Sequence, residues 1–251
     1  MLSRFGLCRR LLLLILCLMP LLAAGQDFPP AEKPEELHDR IAPGPSGAPR
    51  VALTLDACSG AFDQDLITFL IAHRIPTTIF ATTRWIRRNP KGLALLKAHL
   101  DLFDIEDHGE NHVPAVIGAG RTVYGIPGEP DMLHLRREVL EGAEAIEEAT
   151  GVPPHWYRGA TGEYDQKAAN EIRRLGYKIG GFSVNADAGA TLGMTAIEAR
   201  MRRVRGGDVI IAHMNRPRGQ TAEGLAPSIL ELLKRGFTFV RLDQVDLVPV
   251  P

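Results

Sequence analysis

The stretch Val51-Ala-Leu-Thr-Leu-Asp56-Ala-Cys-Ser-Gly60 decides the fold of this chain. Apolar and β-branched residues run directly into a carboxylate, and a Ser-Gly turn follows at once. Buried strands of parallel sheets and barrels have this pattern, and such folds keep their reactive groups at the carboxyl ends of the strands. The stretch therefore predicts a buried strand with Asp56 at its carboxyl end, where reactive groups would lie. The alternative interpretation is that the acid only caps the helix that follows.

The first 25 residues predict a secretory signal peptide. Three arginines precede an apolar run over residues 11–22, and Ala23-Ala24-Gly25 follows, which is the basic, apolar, small order of a cleaved signal. The run is shorter than a comfortable transmembrane helix, and an uncleaved membrane anchor is the alternative. The pattern predicts a secreted or periplasmic protein with no stable membrane insertion after cleavage.

Composition limits the function classes that need to be considered. The 251 residues carry a net charge of −1, with 45% hydrophobic and 24% charged residues, which fits one globular domain with a full core. Cleavage would remove three arginines and no acid, so the mature chain would carry about −4. That charge gives no electrostatic reason to expect a nucleic-acid partner. Of three cysteines only Cys58 would remain, so no internal disulfide is expected.

After the signal, a Pro-rich stretch over residues 26–49 predicts an extended tether. A domain over residues 50–251 then alternates strand-like and helix-like runs, which predicts parallel strands covered by helices. Seven such strands can close into a complete or incomplete barrel. The strand-like runs are 51–56, 77–81, 103–106, 156–157, 179–184, 209–212 and 237–242, and the helix-like runs are 63–73, 89–99, 131–150, 165–175, 195–204 and 221–235.

Polar residues follow the predicted strands at their carboxyl ends, where barrel enzymes keep their catalytic groups. His108 and His112 are four residues apart and can converge on one cation. Neutral imidazole is a ligand that suits zinc, so zinc is the expected metal. The alternative is a pair of surface or capping histidines. His213 follows a buried strand, and with Asp56 it would supply an acid and a base of different pKa. Arg158 can bind a carboxylate through its planar guanidinium group. The alternative is a surface ion pair that contributes little to stability.

This order of motifs resembles the NodB-type polysaccharide deacetylases over roughly residues 50 to 245. The resemblance implies a deformed (β/α) barrel of about seven parallel strands, one divalent metal, usually zinc, and removal of acetyl groups from N-acetylated glycans. It also implies roles for six residues. These are Asp56 as general base, His108 and His112 as metal ligands, Arg158 as the residue that orients Asp56, His213 as general acid, and Asp187 as the carboxylate that tunes His213.

The sequence departs from the family pattern in three motifs. Ala57 stands where the family has a second Asp that completes the metal site, and residues 158–162 and 185–190 lack the usual Pro, aromatic and Trp residues. The identity of the third metal ligand is therefore open, with Asp63, Asp65, Cys58 and Asp107 as candidates. We predict Asp63, because it closes the loop that begins at Ser59-Gly60. Capping of the following helix is the alternative role for Asp63.

Substrate contacts are expected from the loop after the fourth strand and from the end of the sixth. We predict Gly159, Ala160 and Thr161 as donors of backbone N–H groups to the oxyanion, and Asn215 as a further substrate-binding residue. The predicted function is an exported N-deacetylase of an acetylated polysaccharide, first peptidoglycan and second chitin-type oligomers. The alternatives are hydrolysis of another carbon–nitrogen amide or of an O-acetyl ester, and a carbohydrate-binding pseudoenzyme without catalysis.

Overall fold

The computed structural model describes residues 33–44 and 47–250. The predicted signal peptide and the first part of the predicted tether lie outside these residues. The strands are β1 (Glu35–Glu36), β2 (Asp39–Ile41), β3 (Arg50–Ala57), β4 (Thr77–Ala81), β5 (Phe103–Asp107), β6 (Pro114–Ala115), β7 (Thr122–Val123), β8 (Ile126–Pro127), β9 (Trp156–Tyr157), β10 (Ala160–Tyr164), β11 (Lys178–Ile179), β12 (Val184–Asn185), β13 (Val209–His213), β14 (Thr238–Val240) and β15 (Leu247–Pro249).

Helices follow most of the long strands. They are α1 (Gln64–Ala72), α2 (Thr83–Arg88), α3 (Pro90–Lys97), α4 (Met132–Thr150), α5 (Gln166–Arg174), α6 (Met194–Met201) and α7 (Thr221–Lys234), with a 3₁₀ helix at Leu242–Gln244. Within residues 33–44 and 47–250, no helix is long and apolar enough to cross a membrane.

The main sheet is parallel throughout and has the order β11-β9-β5-β4-β3-β13-β12, with β14 added beside β3. Seven of its strands curve into a half-barrel, which confirms the predicted deformed (β/α) barrel. β3 reads as a continuous apolar run because both of its faces are buried. Leu53, Leu55 and Ala57 pack against the helices, whereas Ala52 packs in the separate cluster that includes Phe80.

Strand register aligns the polar residues at one edge of the sheet. Asp56 lies opposite His213 on β13, and Ala81 at the end of β4 lies opposite Asp107 on β5. Asp107 in turn lies opposite Tyr157 on β9. The residues that follow these strand ends, including His108 and Arg158, therefore meet at the carboxyl edge.

Two boundaries differ from those predicted from sequence. Residues 35–36 and 39–41, predicted as part of an extended tether, form strands that pair with β10 and β15, and Ile41 is buried. The compact domain therefore begins before residue 50. The predicted strand 179–184 is two strands, β11 and β12, which occupy opposite ends of the sheet order. Gly180 lies between them, where a Cβ atom would lie only 2.4 Å from the Phe80 ring.

Candidate functional site

The carboxylate at the end of β3 is held by a completely buried arginine. Arg158 Nη1 donates to Asp56 Oδ1 at 2.7 Å and to Thr54 Oγ1 at 2.9 Å, and its Nε donates to the Gly180 carbonyl at 2.8 Å. The guanidinium also stacks on the ring of Phe80, with 4.1 Å from Cζ to the ring centroid. These contacts fix the guanidinium in place, so the predicted contact between Arg158 and Asp56 is present in the structure.

Electrostatics keep this carboxylate ionised. Burial raises the pKa of Asp56, but the positive charges of Arg158, His108 and His213 together outweigh burial and hold that pKa below its usual value. Because Oδ1 is taken by the arginine, Oδ2 is the oxygen that faces the imidazoles, at 3.6 Å from His108 Nε2. Asp56 is therefore an ionised proton acceptor with one fixed and one available oxygen.

Three side chains with metal-binding atoms meet beside this carboxylate. One nitrogen each of His108 and His112 and the Sγ atom of Cys58 all lie within 4.8 Å of one another. His108 and His112 have ring centroids 4.8 Å apart with planes at 73°, and His108 Nε2 lies 3.5 Å from Cys58 Sγ. The predicted pair of histidines therefore converges, and the third member of the group is a cysteine.

The turn that brings His112 back toward His108 depends on unusual backbone angles and on buried acids. Gly109 and His112 have φ values of 83° and 64°, in the left-handed region. Asp107 Oδ1 accepts the N–H of Gly109 at 2.7 Å, and Glu138 on α4 accepts the N–H groups of residues 111 and 113. Backbone angles that cost free energy are retained where surrounding contacts fix them, as at ligand-binding sites.

The three side chains fit a zinc-type metal. Two imidazoles and a thiolate are ligands that zinc favours. The Nδ1–H of His108 donates to the Arg158 carbonyl at 2.6 Å, which leaves Nε2 free for a metal and orients the ring. Burial lowers the pKa of His108, but the negative charges of Asp56 and Cys58 outweigh burial and raise that pKa to about 9. The same negative potential favours a divalent cation at that nitrogen.

The cysteine is also prepared for this role. Burial raises the pKa of the Cys58 thiol, but hydrogen bonds with His108, His112 and His213 outweigh burial and hold that pKa well below its usual value. A thiolate is the form of cysteine that binds metals. The chain thus presents a buried thiolate at the point where the two imidazoles converge.

The geometry corrects our prediction that Asp63 is the third metal ligand. Asp63 caps α1: its Oδ1 accepts the N–H of Leu66 at 3.0 Å, and its own N–H donates to the Met214 carbonyl. Its carboxylate is therefore turned toward its own helix. Among the described residues it is Cys58, and not Asp63, that joins the two histidines.

The second histidine system lies across the site on β13. His213 Nδ1 lies 2.8 Å from Asp187 Oδ1, and the backbone N–H of His213 donates to Asp187 Oδ2 at 2.8 Å. Thr221 donates its hydroxyl to the same Oδ2 at 2.9 Å. Burial lowers the pKa of His213, but Asp187 and Cys58 outweigh burial and raise it well above the usual value. The imidazole is thus held as a cation by Asp187 through Nδ1, its ring also hydrogen-bonds Cys58, and the predicted pairing with Asp187 is present.

These groups open into a cavity of about 480 Å³. Two predicted substrate residues line it, Thr161 and Asn215, and each has a buried side-chain oxygen without a hydrogen-bond partner among the described residues. Sequence reasoning missed Tyr124, Phe182 and Glu36, which also line the cavity. Glu36 was missed because it lies in the stretch that was interpreted as a tether.

Two predicted oxyanion donors do not reach this cavity. The N–H of Gly159 donates to the Tyr164 hydroxyl at 2.8 Å and is therefore already used. Ala160 is completely buried in β10, which pairs with β6. Thr161 is the member of the predicted trio that lines the cavity, since its positive φ of 71° turns the chain there.

A half-barrel with reactive side chains gathered at its carboxyl edge is the architecture of β/α-barrel enzymes. The sequence profile of polysaccharide deacetylases matches residues 44–180, more than half of the chain. The chain therefore belongs to the polysaccharide deacetylase family. Asp187 and His213 lie beyond the matched residues, so their assignment depends on the geometry described above.

Solved structures share this fold at low identity. A family 4 carbohydrate esterase pseudoenzyme from Bacillus anthracis is 18% identical, with 79% of this chain and 65% of that chain covered and a TM-score of 0.63. PdaA of Bacillus subtilis, a family 4 carbohydrate esterase, is 22% identical over 79% and 80% of the two chains, with a TM-score of 0.61. A peptidoglycan N-acetylglucosamine deacetylase is 20% identical over 80% and 90%, with a TM-score of 0.65.

At these identities the similarity shows the fold alone. The chain spans slightly less than two thirds of the length of the pseudoenzyme. The comparison with curated proteins found no match.

Proposed function

We propose that this protein is an exported, metal-dependent N-deacetylase that acts on an acetylated cell-wall glycan, with peptidoglycan as the first substrate. One observation carries the proposal: an arginine-held carboxylate and a carboxylate-held imidazole line the same cavity as Cys58 and His112. An acid and a base of different pKa beside a metal-binding group are what amide hydrolysis needs.

Each side chain has a separate role in the proposed hydrolysis. A bound divalent cation supplies polarisation of the amide carbonyl and activation of a water molecule. Asp56 accepts the proton of the attacking water through Oδ2, while Arg158 holds Oδ1. His213 donates a proton to the departing amine nitrogen as the carbon–nitrogen bond breaks, and Asp187 stabilises the imidazolium. Water is consumed, and acetate and a free amino sugar are the products.

The choice of peptidoglycan has two supports. The basic, apolar and small N-terminal pattern favours export, and one structural neighbour is named as a peptidoglycan N-acetylglucosamine deacetylase. An exported deacetylase encounters N-acetylated glycan in the cell wall. Chitin-type oligomers remain the second substrate class.

Product analysis tests the proposal. The zinc-loaded protein is incubated with peptidoglycan, chitin oligomers and an O-acetylated glycan, and both acetate and new amines are measured. We expect acetate and amine in equal amounts from peptidoglycan, and Asp56→Asn is expected to lower the rate by ~10²–10⁴-fold. Acetate without amine would instead identify an O-acetyl esterase.

A second candidate is a carbohydrate-binding pseudoenzyme, favoured by Ala57 at the position of the family's second Asp. One structural neighbour is itself named as a pseudoenzyme. Glycan binding without release of acetate, in protein that has been shown to contain its metal, would favour this function over hydrolysis.

A further inference from the structure

The alternation of side chains along β3 determines which residue can replace the missing aspartate. Successive residues of a strand point to opposite faces. Asp56 faces the site, whereas Ala57 is completely buried in the apolar cluster between the sheet and the helices. Cys58 is the next residue whose side chain reaches the site, and it is buried against His108.

We propose that the Cys58 thiolate is the third protein ligand of the metal, so that the site is Cys-His-His in place of a carboxylate and two imidazoles. The proposal specifies the metal class of the proposed function, and it depends on that function only in that both use the same cavity. Sulfur is a soft ligand, so the site is selective for zinc or cobalt(II) over magnesium, calcium and manganese, which favour oxygen.

The carboxylates nearby each hold another group through one oxygen, and none of them joins the histidine pair. Asp63 caps α1, and Asp107 Oδ1 accepts the N–H of Gly109. Asp56 is held by Arg158 through Oδ1, and it does not join the group of three atoms that lie within 4.8 Å of one another. Of the described residues outside the histidine pair, Cys58 is the one that this group includes.

Cobalt(II) provides a direct test, because a thiolate ligand produces an intense charge-transfer absorption band in the near ultraviolet. All samples are the full chain with Cys8→Ser and Cys17→Ser, so that Cys58 is its one thiol. We expect the band with cobalt(II), its loss on addition of zinc, and no displacement by a large excess of magnesium. No activity is measured, so the result does not depend on the proposed reaction.

The variants separate the candidate ligands. Cys58→Ser should remove the band and weaken zinc binding by at least about 100-fold, the upper end of the loss for a supporting partner of a ligand. Cys58→Asp should remove the band but keep zinc, which shows that the variant folds and that a ligand is needed at this position. Asp63→Asn, which can still cap α1, should keep both the band and the zinc affinity.

Ala57→Asp provides the sharpest control. If the lost family aspartate were the only defect of the site, this change would strengthen zinc binding. We expect no gain in zinc affinity, together with a lower unfolding midpoint, since the new carboxylate enters the apolar cluster.

One result would overturn the proposal, namely full zinc affinity in Cys58→Ser with no thiolate band in the parent protein. A thiolate band and tight zinc binding in a protein that releases no acetate would leave the proposal intact and contradict the proposed function.

Discussion

His108 and His213 differ in what holds them, although both line the same site. His108 directs its Nδ1 to a backbone carbonyl at 2.6 Å, whereas His213 directs its Nδ1 to the Asp187 carboxylate at 2.8 Å. A carbonyl fixes the tautomer and the ring orientation, and a carboxylate also stabilises the protonated ring. The two supports are consistent with the proposed ligand role of the first histidine and the proposed acid role of the second.

The groups around the two Nε2 atoms complete the contrast. Asp56 Oδ2 and Cys58 Sγ lie 3.6 and 3.5 Å from Nε2 of His108, so a cation is favoured there. His213 lines the cavity from β13, opposite Asp56 in the strand register. A proton on Nε2 of His108 thus occupies the place of a metal, whereas the protonated ring of His213 lines the cavity in which a substrate would bind.

The largest effect should follow from removal of His213, the proposed general acid. His213→Ala should lower kcat by ~10²–10⁴-fold, the usual contribution of a general acid, and should leave the zinc content unchanged. Acetate release and zinc stoichiometry are measured on the same sample, with His134→Ala, a half-exposed histidine of α4, as the control. Loss of the metal from His213→Ala would show that both histidines are ligands, and the comparison would fail.

The next effect concerns Arg158, which contacts Asp56 through its guanidinium and His108 through its carbonyl. Arg158→Met should lower the free energy of unfolding by ~3–5 kcal/mol, because it leaves the buried Asp56 carboxylate unpaired. Urea unfolding of the single variants and of Arg158→Met with Asp56→Asn measures the coupling. The double variant should recover part of the loss, and strictly additive losses would show that the pair is not coupled. Folded Arg158→Met should still bind zinc, since His108 contacts a main-chain carbonyl.

A smaller effect tests the carboxylate behind the acid. Asp187→Asn should lower turnover at neutral pH by ~10–100-fold, in the range seen when a supporting partner is lost. Asp187 and Cys58 raise the pKa of His213, so loss of the Asp187 charge lowers that pKa. The decline of kcat/KM with rising pH should then begin at a lower pH than in the parent protein.

Thr221→Val is the matched control for Asp187→Asn. It removes one hydrogen bond to Asp187 but leaves the carboxylate charge. Its pH profile should keep the parent position. If both variants move the profile equally, the hydrogen-bond network rather than the charge tunes His213.

Much of the fold could be predicted because both faces of the long strands are buried. The runs 77–81 and 156–157 coincide with β4 and β9, and the run 51–56 lies within β3. Prediction failed where pairing depends on distant residues. Strands as short as β1 have no periodicity to detect, and they form only because partners elsewhere in the chain accept them. The Gly180-Gly181 step divides the run 179–184 for a similar reason, since its partner Phe80 is 100 residues away in the chain.

The site was predictable where a residue follows a strong strand, as for Asp56, His108 and His213. The third ligand was not, because loop residues have no fixed direction in sequence. Asp63 had two compatible roles, and the short-range hydrogen bond to Leu66 N–H determined that it is a cap. We preferred Asp63 to Cys58 for its place in the loop, although strand alternation from Asp56 indicated that the Cys58 side chain faces the site.

The smallest expected effect lies at the rim, outside both histidine systems. Tyr124 is 76% exposed at the turn between β7 and β8 and lines the cavity. An exposed aromatic ring can stack on the apolar face of a sugar, and aromatic contacts are worth about 0.5–1.5 kcal/mol. Tyr124→Ala should therefore raise KM by about two- to tenfold with kcat unchanged, and Tyr124→Phe should keep the parent KM. A fall in kcat for Tyr124→Ala would mean that the rim positions the reacting group, so the chemistry would not be confined to the two histidine systems.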